Sequence, residues 1–396
     1  MPDEELFVSA ARAAAALGVS VTTLYAYVSR KKIRSQPVPG SRQRRYWKAD
    51  IDRIRGVSSA TPLARPGGLT RDTDITLITE QGPFYRGQSA VELSDTYDLE
   101  QTAGLLWRSS PQADFSEALP KDPPQLAALL KLLADSSTAD RATALFPLIE
   151  LHNPRAYDLS HEGMCRTGAD VLRWLAALLV RAPRPSDEPL HLMVARSLGA
   201  SAEMADLIRR MLVLSADHGF EPGTYAVRAV ASTGVTPYRS VLTGLSVSTG
   251  RRTLSGRFES LARVLGEVEA AADPADPVVR RIREGEALPG FGSNLYARGD
   301  PRARAVLSRL DAMFGGDRDF QKLKRAITVA HEVRGLDPDF ALTQVYIARK
   351  LGLEGGNSLF ILGRAAGWIA HAIEQYQAGG VIREPSMYTG RLPLPA

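Results

Sequence analysis

Pro289-Gly290-Phe291-Gly292-Ser293-Asn294-Leu295-Tyr296-Ala297-Arg298-Gly299-Asp300-Pro301-Arg302 and, further on, Leu336-Asp337-Pro338-Asp339-Phe340 are the two stretches whose reading decides this fold. In the second, Asp339 stands just ahead of the apolar run 340–342, where a carboxylate suits the positive end of a helix dipole. Around both, nearly everything reads as helix. Segments 103–107, 126–133, 171–180, 204–214, 226–231, 264–271, 320–333 and 359–376 are largely apolar with helical spacing. Breakers at 183–189 and 272–277 punctuate them. One short hairpin stands apart, with Ile75-Thr76-Leu77-Ile78-Thr79 and Phe84-Tyr85-Arg86 flanking Gln81-Gly82. There is no internal repeat and no low-complexity tract. The expected class is all-α.

The chain has 396 residues, longer than a single hydrophobic core usually grows, so more than one domain is expected. A hydrophobic content of 44% supports a well-buried interior. The longest apolar runs, such as 174–180, fall far short of the roughly 20 residues that span a bilayer. The acidic start Asp3-Glu4-Glu5 fits neither a signal nor a transit peptide. Cys165 is the single cysteine, which leaves no intrachain disulfide and no multi-thiolate metal site. A cytoplasmic protein with no metal and no membrane contact is the simplest expectation.

The net charge of +5 is unevenly placed: residues 1–56 hold 11 Lys+Arg against 5 Asp+Glu, leaving 38 against 39 for the rest. The basic character belongs to one small N-terminal unit, and a polyanion partner for that unit is implied. Val8-Ser9-Ala10-Ala11-Arg12-Ala13-Ala14-Ala15-Ala16-Leu17 is rich in helix formers, with Ser9 as N-cap. Gly18-Val19-Ser20 breaks it, and Ser20 caps a second helix from residue 21 to about residue 30, with Leu24 and Val28 turned inward. That is a helix-turn-helix pattern, whose second helix enters the major groove. Basic residues then gather around the turn-forming Pro39-Gly40 as a hairpin wing suited to phosphate contacts. The expected DNA-facing set is Thr22, Thr23, Tyr25, Arg30, Lys31, Arg42, Arg44 and Arg45. The order of turn, helix and wing from Phe7 to Asp50-Ile51 resembles the MerR/excisionase type of winged helix-turn-helix. A protein-docking arm with a solvated basic face is the other reading.

Over roughly residues 70–392 the chain resembles the citrate synthase family. The first decisive stretch is similar to that family's Gly-Phe-Gly-His signature, with Ser293 in place of the histidine. Asp337-Pro338-Asp339-Phe340 is similar to its Asn-x-Asp-Phe. Residues 79–93 resemble the start of the bacterial members, and Leu214-Ser215-Ala216-Asp217-His218 their Ala-Asp-His turn. Gly363-Arg364-Ala365-Ala366-Gly367-Trp368-Ile369-Ala370-His371, with Glu374-Gln375, resembles their last long helix. Ile382-Arg383 with Tyr388-Thr389-Gly390 resembles their C-terminal ending. The resemblance implies a two-domain helical fold: a large domain of 70–254 and 331–396 and a small domain of 255–330. It is preceded by the winged unit 1–56 and a linker 57–69.

The family's reaction condenses an acyl-CoA with a 2-oxo acid, using an Asp base and two His as enolate donor and acid. The resemblance places the base at Asp339. The second histidine falls on Ser293, which can donate a hydrogen bond but is no acid near neutral pH. The first falls within Thr253-Leu254-Ser255, none of them a histidine. Gly219-Phe220-Glu221 lacks the family's Asn, and Arg257 and Phe258 thicken a turn that is glycine-rich in the family. Losing one preorganised donor typically costs about 2.7–4 kcal/mol, roughly 100- to 1,000-fold in rate. The binding groups survive better: His218, Arg302, Arg364 and Arg383 fall where the family holds carboxylates, Arg383 reaching a second copy's site. Arg298 falls where a CoA phosphate is contacted, and Gly290 and Gly292 let the loop approach the thioester arm closely.

The expectation is a homodimeric protein of this fold that binds a carboxylate or acyl-CoA metabolite, has weak or no synthase activity, and regulates through DNA. No cofactor would be permanently bound. The alternative is an acyltransferase of the citrate or 2-methylcitrate synthase type, with acyl-CoA as cosubstrate. It would act alone or in a heteromer with an intact citrate synthase paralogue.

Overall fold

The computed structural model describes residues 7–29, 33–38, 40–41, 43–54, 72–116, 118–353 and 356–383. The chain divides into two compact units, Met1–Asp72 and Thr73–Ala396.

The first unit runs β1 (Phe7–Ser9), α1 (Ala10–Leu17), α2 (Val21–Ser29), β2 (Ser35–Pro37), β3 (Arg44–Trp47) and α3 (Lys48–Ile54). Its strands form an antiparallel sheet in the order β1-β3-β2. The Ser9 hydroxyl accepts from the Arg12 N–H at 3.4 Å, and Gly18 ends α1 in the left-handed region at φ 65°. The Ser20 hydroxyl accepts from the Thr23 N–H at 3.1 Å and so starts α2. Ala13, Ala14, Leu24, Ile33, Tyr46 and Ile51 form the core. Asp50 ties α3 to the strand entry by accepting from the Arg34 N–H (2.8 Å) and Nε (3.0 Å). Thr22, Thr23 and Tyr25 lie exposed on α2. Arg44 Nε donates to Ser35 Oγ at 3.0 Å, and the Arg45 guanidinium lies 4.6 Å over the Phe7 ring. Arg30, Lys31 and Arg42 lie outside the described residues.

The second unit opens with an antiparallel three-stranded sheet, β4 (Thr76–Thr79), β5 (Gly82–Tyr85) and β6 (Gln88–Ser89), in the order β4-β5-β6. The rest is helical. First come α4 (Ala90–Thr96), α5 (Leu99–Trp107), α6 (Pro111–Asp114), α7 (Leu126–Leu132), α8 (Thr138–Leu151) and α9 (His161–Leu179). Next are α10 (Leu190–Ser197), α11 (Ala202–Ser215), α12 (Pro222–Ala231), α13 (Pro237–Ser248) and α14 (Leu254–Ala270). The last are α15 (Ala275–Arg283), α16 (Pro301–Phe314), α17 (Arg318–Arg334), α18 (Phe340–Lys350) and α19 (Ser358–Ala378). Among the described residues no helix is long and apolar enough to cross a membrane.

The break expected at 272–277 occurs at its start: α14 ends at Ala270 and α15 begins at Ala275. Pro277 is its third residue, in the first turn, where a missing N–H costs nothing because that donor has no helical partner. The expected hairpin forms, with Thr79 paired to Gly82 and Thr76 to Tyr85.

α19 is the axis of this unit. Twenty-one residues long, it is buried on all faces over most of its length, as a helix at the centre of a domain must be. Its small residues allow close crossings. A Cβ on Gly363 would stand 2.6 Å from the Leu212 carbonyl oxygen, and one on Gly367 2.1 Å from that of Ala216, so α11 and α19 meet backbone to backbone. On another side Gly244 of α13 admits the Trp368 ring, which a Cβ there would meet at 2.5 Å. A smaller apolar cluster, with Val264, Val278, Val329 and Ala330 among its members, joins α14, α15 and α17.

Gly367→Ala is expected to lower stability by about 1–3 kcal/mol through overpacking. Gly266→Ala, on a helical stretch where a Cβ meets nothing within 4 Å, is expected to raise it by up to about 1 kcal/mol. Denaturant midpoints of the two variants against the parent check the pair.

Candidate functional site

The crossing of α11 and α19 sets the first half of the site. α11 ends at Ser215, whose carbonyl accepts from Arg364 Nε at 2.9 Å. Asp217, in the turn that follows, lies 3.3 Å from His371 Nε2, with both side chains fully buried. Burial would raise the Asp217 carboxyl, but His371 and Arg364 outweigh it and hold that group well below the usual carboxylate range. The Tyr85 hydroxyl donates to the Val213 carbonyl at 3.0 Å and braces the turn from the hairpin. This framework fixes His218, whose Nε2 lies 2.6 Å from the Tyr296 hydroxyl. Burial, followed by the charges of Arg302 and Arg364, pushes the His218 imidazole well below its ordinary value of 6.5. His218 is therefore neutral at pH 7.

The two decisive stretches supply the second half, and they are stitched together. The Gly292 N–H donates to the Asp337 carbonyl at 2.7 Å and the Asp339 N–H to the Gly290 carbonyl at 2.8 Å, with Phe291 bridging to Pro338. Gly290 sits at φ 86°, and a Cβ there would come 2.5 Å from Leu261 Cδ1, so the turn accepts only glycine. Asp339 caps α18, its Oδ1 accepting from the Leu342 N–H at 3.1 Å. Its Oδ2 forms an ion pair with Arg257 Nη2. The carboxylate is 5% exposed, whereas Arg257 is 54% exposed, so Arg257 covers a buried acid from the solvent side.

Ser293 does not face Asp339 as a free hydroxyl. Its Oγ accepts from the Leu295 N–H (3.1 Å) and the Tyr296 N–H (3.2 Å), closing the turn that presents Tyr296 to His218. The side chains of Thr253, Leu254 and Ser255 are also engaged. Thr253 Oγ1 lies within hydrogen-bond reach of the Val247 (2.7 Å) and Gly250 (2.8 Å) carbonyls, Ser255 Oγ donates to the Ser248 carbonyl at 2.8 Å, and Leu254 packs on the main core. His331 is exposed and reaches one motif: its Nδ1 lies 3.0 Å from Asp337 Oδ1.

Arg302 is buried and forks onto Asp300, Nε to Oδ1 at 3.1 Å and Nη2 to Oδ2 at 2.8 Å, while lying 4.7 Å over the Phe340 ring. Arg364 lies 4.6 Å over the Phe360 ring, with Nη1 3.6 Å from Glu221 Oε1. Thus His218, Arg302, Arg364, Asp339, Gly290 and Gly292 gather around one loop. Arg298 is exposed at its edge, its carbonyl accepting from Arg304 Nη1 at 2.9 Å. Arg383 is exposed, next to Ile382, whose N–H donates to Ser232 Oγ at 3.0 Å at the end of α12 away from Glu221. It joins no part of this cluster. Tyr296, Asp300 and Glu221 are participants that sequence reasoning did not single out for roles; Tyr296 and Asp300 lie within the quoted stretch itself.

The helical body thus turns a neutral imidazole, two buried guanidiniums and a capped carboxylate toward one glycine loop. The chain belongs to the citrate synthase family: the family described as citrate synthase, C-terminal domain, matches residues 67–385. It is 24% identical over 349 residues to a 2-methylcitrate synthase of Mycobacterium tuberculosis, covering 80% of this chain and 88% of that one. It is 29% identical over 197 residues to a citrate synthase of Haloferax volcanii, a match spanning 48% of this chain and only about half (52%) of that relative. Among solved structures, the citrate synthase of Thermotoga maritima superposes with a TM-score of 0.67 at 22% identity, covering 83% of this chain and 96% of that one. The ternary complex of carboxymethyl coenzyme A and oxaloacetate with the Thermoplasma acidophilum citrate synthase gives 0.66 at 19% identity, covering 82% and 95%. These likenesses establish the fold.

Because native His218 resists protonation while the unfolded imidazole takes a proton near pH 6.5, the unfolded state binds more protons as pH falls through that value. The stability difference between the parent and His218→Gln is expected to be constant above about pH 7. It should shift against the parent as pH falls through the unfolded value. Denaturation midpoints of both proteins from pH 5 to 8 check this.

Proposed function

We propose that this chain is a metabolite-binding member of the citrate synthase family with weak or no condensing activity, acting as a cytoplasmic homodimer whose first unit binds DNA. The observation that carries it is the state of Asp339. The carboxylate that would take a proton from an acyl methyl is held by Arg257 on one oxygen and by a backbone N–H on the other. A general base must lie within reach of the proton it takes, and an acyl methyl approaching Asp339 from the solvent side would have to displace Arg257. No imidazole stands at position 293 or in 253–255 to serve as enolate donor or acid. The groups suited to holding a carboxylate, His218, Arg302 and Arg364, remain gathered. Gly290 and Gly292 are the loop glycines, and Arg298 the exposed cation, toward which an acyl-CoA would lie.

For the first unit, support comes from α2 presenting Thr22, Thr23 and Tyr25 to solvent beside a hairpin carrying Arg44 and Arg45, on the part of the chain that holds the excess positive charge. Metabolite binding would act by changing the spacing of two such units in a dimer, with Arg383 contributing to the second copy's site.

The second reading is an acyltransferase of the 2-methylcitrate or citrate synthase type, alone or paired with an intact paralogue. It is favoured by Asp339 keeping its motif position at the start of α18 and by the M. tuberculosis relative.

Two measurements test these readings. In CoA thiol release with acetyl-CoA or propionyl-CoA plus oxaloacetate, the parent is expected to stay at the level of Asp339→Ala. Release that vanishes only in the variant would put the acyltransferase reading first. In a gel-shift assay the parent is expected to retard duplex DNA containing its own upstream region, with Tyr25→Ala and Arg44→Ala weakening it. Equal, negligible retardation of every duplex would remove the DNA-binding part.

A further inference from the structure

The outward face of α2 is a stripe of methyl groups, with no amide, guanidinium, ammonium or carboxylate on it. α2 reads Val-Thr-Thr-Leu-Tyr-Ala-Tyr-Val-Ser and holds no Arg, Lys, Asn, Gln, Asp or Glu. Leu24 is fully buried in the core of the first unit, and Tyr27 and Val28 pack against that core. This fixes which face turns outward: Val21, Thr22, Tyr25, Ala26 and Ser29, spaced as one helical stripe, are exposed. Two hydroxyls are committed to the helix itself. Thr23 Oγ1 lies 2.9 Å from Ser20 Oγ, and Ser29 Oγ donates to the Ala26 carbonyl at 2.9 Å. What the stripe offers a partner is the methyl groups of Val21, Thr22 and Ala26, the Thr22 hydroxyl and the Tyr25 side chain, which is half exposed.

That composition decides what α2 can distinguish in a duplex. Guanine and adenine are read in the major groove by paired hydrogen bonds from Arg, Lys, Asn or Gln, and cytosine by Asp or Glu. A hydroxyl serves any base, so the feature complementary to exposed methyl groups is the C5-methyl of thymine. Affinity comes from elsewhere in the unit. Residues 1–56 hold the excess of positive charge, with Arg12 exposed on α1 and Arg44 exposed on β3. Such cations hold phosphates and carry no sequence information. The charge commits the stripe to a nucleic acid. Its methyl groups commit it to DNA, because RNA carries uracil and its major groove is too deep and narrow for side chains to read.

We propose that α2 reads DNA through thymine methyl groups, so that the partner of the first unit is a duplex presenting thymine in its major groove. The inference rests on the DNA-binding reading above and names the feature of the duplex that α2 distinguishes.

The test is a gel shift of the full chain on the upstream-region duplex, prepared once with thymine and once with uracil at every thymine position. Uracil keeps the same donors and acceptors and lacks only the methyl group. The parent is expected to bind the thymine duplex about fivefold or more tightly than the uracil duplex. Thr22→Ser and Ala26→Ser each remove an exposed methyl group, and the double variant is expected to bind the two duplexes to within about twofold of each other. Arg44→Ala is expected to weaken binding to both alike and to leave the ratio unchanged. Thermal midpoints confirm that the variants fold as the parent does. Equal binding of the two duplexes by the parent overturns the proposal while leaving DNA binding intact, as does an unchanged ratio in the double variant. Retardation of neither duplex by the parent overturns the proposal and the DNA-binding reading together.

Discussion

The close crossing of α11 and α19 is the constraint on which the rest of the second unit depends. At Gly363 and Gly367 the two helices approach until a single methyl group would overlap a carbonyl oxygen. That distance lets Arg364 reach the last carbonyl of α11 and lets His371 meet Asp217 with both side chains fully buried. A buried acid and a buried imidazole are costly apart and tolerable only together. The turn carrying His218 is thus locked by packing and by electrostatics at once. A wider crossing would leave Asp217 uncompensated, and the imidazole of the site would lose its seat.

The second half of the site depends on a different device, a two-bond stitch between a glycine loop and the start of α18. Backbone groups make it, so it is indifferent to the identity of residue 293. The stitch therefore does not draw on the side chain at that position. The serine hydroxyl has been absorbed into the turn, accepting two N–H groups. Scaffold and chemistry are separable here because different atoms carry them: main-chain atoms hold the loop, whereas the reaction would draw on side chains.

Much of this was legible in the sequence because the signals were local. The capping position of Asp339, the β4–β5 hairpin and the long apolar helices follow from neighbouring residues. α13 was not legible in this way because Ser240, Gly244 and Ser248 interrupt the buried Tyr238, Val241 and Leu245 on its inner face. Small residues there serve close packing, which hydrophobic periodicity does not register. The ion pairs of Arg257 and Glu221 were illegible for another reason. Each joins residues far apart in the chain, 82 positions in the case of Arg257 and Asp339, and only the helix crossings decide which charge meets which. The sequence marked Arg257 and Glu221 as departures from the family pattern without showing that each lands on a charge the family would use.

That outcome changes how the surviving arginines should be weighed. Arg302 grips Asp300, the residue that caps α16 by accepting from the Arg302 N–H at 3.0 Å, and it covers the Phe340 ring at the start of α18. Truncating it would leave Asp300 buried and unpaired, a penalty that applies whether or not any ligand ever binds. Arg364 is in the same position through Ser215 and Phe360. Their presence is therefore explained by the fold alone and says little about substrate. Arg257 is the informative residue. It is mostly exposed, no buried partner other than Asp339 requires it, and its one evident effect is to occupy the acid that a condensing enzyme would need free. Of the three arginine ion pairs, its pair with Asp339 is the one that joins a mostly exposed side chain to a buried acid, and the one that the packing of the helices does not by itself require.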